Sequence, residues 1–318
     1  MSFTTFGRQR TMKTFPFHDP NRIYTDEHDV NVHGCGITPS GHTFVSLYDI
    51  PQRRWYELNI DRPMPLEQYE EWFEQTLLHQ IALHDSFNVI NIVEGHVTCS
   101  VGSKVGRPLR LPIVASAFLP FANYTDITHK KYLRLSADTC TWNGLDCVYK
   151  QLEFDEYIGR LQRDIVSREK LLNHFGRDAP LSEYGICPIL AIVVDGTPSF
   201  LCGILMPNAG VVLDQLPTGQ LKMAHLVSLI KTLAHLRSAH VIHGDICERN
   251  VCLDGSSILL IDFGEVAPRY ANDIVATGTL IQWCMKQFSA VERERLARAA
   301  SELIDREDIE AALTILAD

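Results

Sequence analysis

The 318-residue chain lacks several features that would assign it to a class at once. It has no run of about 18 apolar residues, the length a membrane-spanning helix needs, so no helical span is expected. No secretory h-region is present. There is no C-x-x-C and no H-E-x-x-H, so the 9 Cys and 13 His show no metal-ligand spacing. The cysteine number is odd, the positions scatter from Cys35 to Cys284, and several fall inside apolar runs, where a free thiol behaves as a small hydrophobe. A reducing compartment is therefore expected rather than a disulfide scaffold. An excess of positive charge is missing too: 29 Lys and Arg stand against 39 Asp and Glu, a formal net charge of -10. General nucleic-acid binding is not expected on that balance. No internal repeat is visible. The first eighteen residues lack Asp and Glu while carrying Arg8, Arg10 and Lys13. They read as a loose basic terminus, with mitochondrial targeting a minor alternative to a cytoplasmic or nuclear protein.

What is present is ordinary for a globular protein, with 46% hydrophobic and 21% charged residues. Residues 1–30 read as a flexible terminus. From His42 to Ile60 two alternating segments flank a turn at Pro51–Arg54, the pattern of a β-hairpin. Pro65 opens an expected helix over Leu66–Leu83, and strand-like runs follow at Val89–Val93 and His96–Val101. Lys104, Arg107 and Arg110 read as a solvated basic loop rather than a phosphate site. Residues 31–110 thus form a small α+β accessory unit with no assignable motif.

Further on, strands are expected at Lys131–Ser136, Thr139–Trp142 and Leu145–Lys150, the last two joined by the hairpin dipeptide Asn143-Gly144. A helix over Tyr157–Phe175 carries Ile158, Leu161, Ile165, Arg168, Leu171 and Leu172 in register. Apolar strands are expected at Cys187–Val194 and Ser199–Met206. Helices are expected at Lys222–Arg237, from Asp273 to Met285, and over 290–304 and 306–316.

The chemistry concentrates in one stretch. Val241-Ile242-His243-Gly244-Asp245 is followed by Asn250 five residues after Asp245, then by a short hairpin around Asp254-Gly255, then by Ile258–Ile261 and Asp262-Phe263-Gly264. Three oxygen-bearing side chains, Asp245, Asn250 and Asp262, end up at the ends of short strands. Phosphoryl transfer uses that set: an acid to orient or deprotonate a hydroxyl and two oxygen ligands for Mg²⁺. The stretch resembles the catalytic loop and Asp-Phe-Gly motif of the protein-kinase-like superfamily. The resemblance covers residues 111–318.

That resemblance implies an α+β, bilobal protein-kinase-like fold with a small N-terminal α+β extension, an N-lobe over 111–206 and a reduced C-lobe over 207–318. It implies ATP and Mg²⁺ as ligands. Asp245 would orient or deprotonate the acceptor hydroxyl, and Asn250 and Asp262 would hold the metal. Lys150, at the end of Val148-Tyr149-Lys150, would meet the ATP phosphates, paired with Glu169; Glu153, Asp155 and Glu156 are rivals for the pairing. Met206 would floor the adenine pocket, Arg249 would neutralise γ-phosphate charge, and Asp273 would brace the catalytic loop from the first turn of its helix.

Four departures qualify the resemblance. No G-x-G-x-x-G precedes Lys150, and the expected first turn, Pro120–Thr128, has no Gly. The loop reads His-Gly-Asp, without the Arg that usually contacts a phosphorylated activation loop, and is similar to the loop of small atypical kinases and of aminoglycoside and choline phosphotransferases. Cys247 stands where a Ser/Thr kinase has Lys. Only twelve residues run from Asp262 to Asp273, with no A-P-E. The expectation is an atypical phosphotransferase acting on a hydroxyl of a small molecule or protein. A pseudokinase or nucleotide-binding regulator is the alternative, and transfer of another group such as AMP a third.

Overall fold

The computed structural model describes residues 28–52, 54–63, 73, 87–101, 118–134, 136–152, 158–194, 201–255 and 257–317. The helix expected over Leu66–Leu83 (Phe73 apart), the basic loop at Lys104–Arg110 and the carboxylates Glu153, Asp155 and Glu156 lie outside the described residues. Both helices and sheets build the fold.

Five strands form one sheet in chain order: β1 (Val30–Ile37), β2 (Thr43–Asp49), β3 (Arg54–Ile60), β4 (Phe87–Val93) and β5 (His96–Val101). The β2–β3 pair is the antiparallel hairpin its alternation predicts, the expected strands β4 and β5 also pair antiparallel, and β3–β4 is parallel. A parallel pair needs a long connection, and in the sequence 26 residues separate Ile60 from Phe87. Val45, Leu47, Tyr56, Leu58, Ile60, Ile90 and Ile92 form the core of this sheet with Phe73, whose ring lies 4.7 Å from that of Tyr56.

A second sheet has six strands, β6 (Phe121–Asn123), β7 (Thr128–Arg134), β8 (Ala137–Trp142), β9 (Leu145–Gln151), β10 (Ala191–Val194) and β11 (Leu201–Pro207), in the order β6-β10-β11-β9-β8-β7. Asn143 and Gly144, at φ 51° and 76°, make the β8–β9 turn, both in the left-handed region that a two-residue hairpin demands. The stretch Pro120–Thr128, expected to be the first turn before the strand at Lys131–Ser136, instead contains β6, a 3₁₀ turn over Tyr124–Asp126 and the start of β7. The strands β7 and β8 meet at the Arg134–Ala137 pair, with two residues between. β10 is shorter than the expected Cys187–Val194 because Pro188 has no N–H to give a ladder, although Leu190 N–H still donates to Leu205 O at 2.7 Å.

The helices are α1 (Ile158–Phe175), α2 (Met223–Ser238), α3 (Asp273–Cys284), α4 (Ala290–Asp305) and α5 (Ile309–Ala317). α2 buries Leu226, Leu229, Ile230, Leu233 and Leu236, the stripe its sequence period requires. α4 buries Leu296, Ala299, Ala300 and Leu303. Gly278 lets α3 lie close on α4: a Cβ there would fall 2.7 Å from Ile304 Cγ1. α5 starts three residues later than expected, because Glu307 turns at φ 52° and Asp308 Oδ1 accepts from Ala311 N–H at 2.9 Å. A small sheet, β12 (Val211–Val212), β13 (Val251–Asp254) and β14 (Ser257–Leu260), is ordered β12-β13-β14.

The chain divides into two compact units. The first comprises Met1–Leu111, Asn123–Asp155 and Asp195–Cys202, and the second Pro112–Ala122, Glu156–Val194 and Gly203–Asp318.

Candidate active site

The second unit contains Asp245, Asn250 and Asp262. The hairpin β13–β14 holds them: the loop with Asp245 and Asn250 leads into β13, and Asp262 follows β14. Ile261 N–H donates to Asn250 O at 3.0 Å, which joins the two segments where the hairpin strands end.

His243 is the interior post of this loop, with no exposed surface. Asp245 N–H donates to its Nδ1 at 3.2 Å, so Nδ1 carries no proton. Nε2 then carries it and donates to Ile261 O at 2.8 Å. Burial pushes the imidazole pKa down to about 4, which suits the neutral ring these bonds require. Below it, Asp273 accepts from His243 N–H and Gly244 N–H, each at 2.7 Å, through its two carboxylate oxygens. Asp273 opens α3, as expected of a brace, but the helix cap is its neighbour: Asn272 accepts from Ile274 N–H and Val275 N–H.

Gly244 stands at φ 84°, and a Cβ there would lie 2.9 Å from Val266 Cγ2 and 3.1 Å from Glu265 O. An Arg at this position would be strained in backbone and crowded in space, so the His-Gly-Asp spelling follows from the local path.

Asn250 is buried, and its Nδ2 donates both to Asp245 O at 2.9 Å and to Asp245 Oδ2 at 2.8 Å. Both amide protons are used on Asp245, so the amide oxygen is the atom left to serve a cation. Asp262 adopts φ 60°, a conformation that Asp tolerates better than most residues, and its Oδ1 accepts from Gly264 N–H at 3.3 Å. Burial raises the Asp245 carboxyl above its ordinary pKa; Asn250 and Arg249 oppose this, and the charges of Asp262 and Glu265 add to it. Among the described residues no group of three or more His, Cys, Asp and Glu is placed to hold a metal by itself. An amide oxygen and one carboxylate suit Mg²⁺, which takes few protein ligands and fills its shell with phosphate and water.

Sequence reasoning missed what α1 brings. Arg163 donates through Nη1 to the carbonyls of His243 (3.1 Å), Phe263 (2.6 Å) and Glu265 (2.9 Å), and through Nη2 to that of Ile242 (2.9 Å). Asp164 and Arg168, both fully buried, pair one helical turn apart. Asp164 also accepts from Phe263 N–H at 3.1 Å, and the Arg168 guanidinium lies 4.1 Å over the Phe263 ring. Arg168 Nε donates to Cys187 O at 3.2 Å. Phe263 is thereby enclosed, with the His243 ring 4.4 Å from its own. The one signal available in the sequence was charge on an apolar stripe: Asp164 and Arg168 share the helix face of Leu161, Ile165 and Leu172.

Lys150 is the penultimate residue of β9, which runs one residue past the expected end, to Gln151; it lies opposite Ala137, half-buried in the first unit. Glu169 is half-buried on α1 in the second unit, five residues past Asp164. Met206 is buried in β11. Arg249 is exposed, and its hydrogen bond to the Cys247 side chain, with the charges of Cys247, Glu248 and Asp245, raises its pKa. No model of a known protein family matches the chain, and no curated protein matches it.

Proposed function

We propose that the chain is an atypical kinase-like phosphotransferase, of bilobal kinase-like architecture, that moves the γ-phosphoryl group of ATP to a hydroxyl of a small molecule or protein. The observation that carries the reading is the pair of hydrogen bonds from Asn250 Nδ2 to Asp245, beside Asp262. A carboxylate fixed by a neighbouring amide, whose own oxygen then points elsewhere, divides base and metal duties between two side chains. The meander β7–β9, which carries Lys150 near the end of β9 and is followed by α1, supports the same reading.

In this reaction Asp245 accepts or orients the proton of the attacking hydroxyl as the oxygen–phosphorus bond forms and ADP leaves. Asn250 Oδ1 and Asp262 would hold Mg²⁺, which would supply neutralisation of phosphate charge. Arg249 stabilises the transferred group. Lys150 is assigned to the phosphates, and Glu169 to Lys150, by the resemblance alone.

One observation favours a second reading, a nucleotide-binding regulator. The β7–β8 connection spans two residues without a Gly, too short to fold over a triphosphate as a glycine-rich loop does. Transfer of radiolabel from γ-labelled ATP to a panel of hydroxyl acceptors tests the choice. Turnover is expected for the wild type and a fall of about 10²–10⁴-fold for Asp245→Asn, with Mg·ATP affinity retained. Its pH profile is expected to show an acid limb above the ordinary carboxylate range, because Asp245 works ionised and its pKa is raised. Mg·ATP binding without turnover on any acceptor would select the regulator.

A further inference from the structure

Four backbone carbonyls from two separate segments converge on one side chain. Ile242 O and His243 O belong to the loop that carries Asp245, and Phe263 O and Glu265 O belong to the segment that carries Asp262. The side chain is Arg163, which comes from α1, outside both segments. A guanidinium offers several donors in a rigid planar fork, so it can fix the spacing between segments where an ammonium makes a point contact.

Within the loop itself, position 244 is a glycine whose Cβ direction is blocked by Val266 and Glu265, and no side chain can act from there. Between Asp262 and Asp273 the sole hydroxyl is that of Tyr270. A segment of that composition offers little for a phosphorylation switch, yet both halves of the site must be held in place.

We propose that Arg163 is the positioning residue of this site: bonded to the carbonyls of Ile242, His243, Phe263 and Glu265, it holds the Asp245 loop and the Asp262 segment in register, so that the site is assembled without modification of the segment after Gly264. The proposal rests on the phosphotransferase reading and deepens it. Asp164 assists by accepting from Phe263 N–H, so both backbone polar groups of Phe263 are tied to α1. The held distance is that between base and metal ligand, and an error of about 1 Å there costs about 100-fold in rate.

The test uses the full chain with Arg163→Met, Arg163→Lys and Arg163→Ala, and with Arg160→Ala as control, since the Arg160–Glu265 ion pair is half-exposed on both sides. For Arg163→Met, kcat is expected to fall about 100-fold while KM for ATP moves less than about threefold, the signature of lost alignment rather than lost binding. Arg163→Lys is expected to fall between Arg163→Met and the wild type. Added guanidinium is expected to restore part of the activity of Arg163→Ala and none of that of Asp245→Asn. Tyr270→Phe and Arg160→Ala are expected to match the wild type.

Hydrogen exchange supplies a readout that needs no turnover. In Arg163→Met the amides of Gly244, Asp245, Phe263 and Gly264 are expected to lose protection together, while those of α4 keep it. Folded Arg163→Met protein with wild-type kcat, or with protection lost in one segment only, overturns the proposal. Failure of the underlying reading looks different: the wild type itself then shows no transfer, while the joint loss of protection still occurs.

Discussion

His243 serves its loop only as a neutral ring. Nδ1 accepts from Asp245 N–H while Nε2 donates to Ile261 O, so a second proton on the ring breaks the bond that orients Asp245. Burial moves the pKa from 6.5 to about 4, hence the unfolded chain takes up a proton well before the folded chain does. Stability from this residue is fully present above pH 6.5 and is lost as pH falls through the window down to about 4, an amount on the order of 3 kcal/mol. Urea midpoints are expected to decline over that window. His243→Asn is expected to be less stable near neutral pH but to lose less on acidification, because the titrating group is gone. An equal decline in both proteins would assign the acid sensitivity to other groups. Asp245 has the opposite linkage: its raised carboxyl pKa means that its contribution to stability falls as pH rises, while the ionised form that the proposed base role requires grows. The ionised carboxylate of Asp245 is held at a cost to the fold, whereas the neutral ring of His243 is the form the fold prefers.

Helix α1 is the element on which the site's supports converge, and it carries a buried ion pair whose members cannot be removed one at a time without cost. Asp164 and Arg168 are both without exposed surface, and each has a second duty, Asp164 to Phe263 N–H and Arg168 to Cys187 O. Removing one partner strands a charge in a dry interior, at about 3–5 kcal/mol, while replacing both by apolar groups of similar size is close to neutral. Asp164→Leu is therefore expected to lower stability by that amount, and Arg168→Met added to it to recover most of the loss in a double-mutant cycle. Activity is expected to stay low in the double variant, since Phe263 N–H has lost its acceptor. Equal destabilisation by the single and double changes would show that packing, not charge, governs the face. α1 also shows what a sequence period can and cannot say. The period puts Arg168 on the buried stripe beside its partner Asp164, but its other partners lie at Cys187 and on the Phe263 ring, and those of Arg163 lie 79 to 102 residues away. Local pattern carries no information on contacts of that range.

Across the whole molecule, the elements legible in advance were those fixed by local rules. α2 and α4 follow their 3.6-residue stripes, and the β8–β9 hairpin follows Asn143-Gly144. The errors arose where one residue overrode a run: Pro188 shortened β10, and Asp308 delayed α5. Of the candidate site, the placement of Asp245, Asn250, Asp262 and Asp273 was legible because they occupy one continuous stretch of 29 residues, from Asp245 to Asp273. Such a stretch makes a prediction about the whole chain. Asn250 and Asp262 both belong to the second unit, whereas the core of β1–β5 belongs to the first. A ligand that binds only the folded form stabilises by about 2.7 kcal/mol at 100 times its Kd. Mg·ATP is therefore expected to slow hydrogen exchange at Gly244–Ile246 and Phe263–Gly264 and to leave Leu47, Leu58 and Ile90 unchanged. Asp262→Asn is expected to remove the Mg²⁺-dependent part of that slowing and to keep any part seen with ATP alone. Slowing spread evenly over β1–β5 and the second unit would mean that the nucleotide acts on global unfolding, and its absence at Gly244–Ile246 would place the nucleotide away from Asp245.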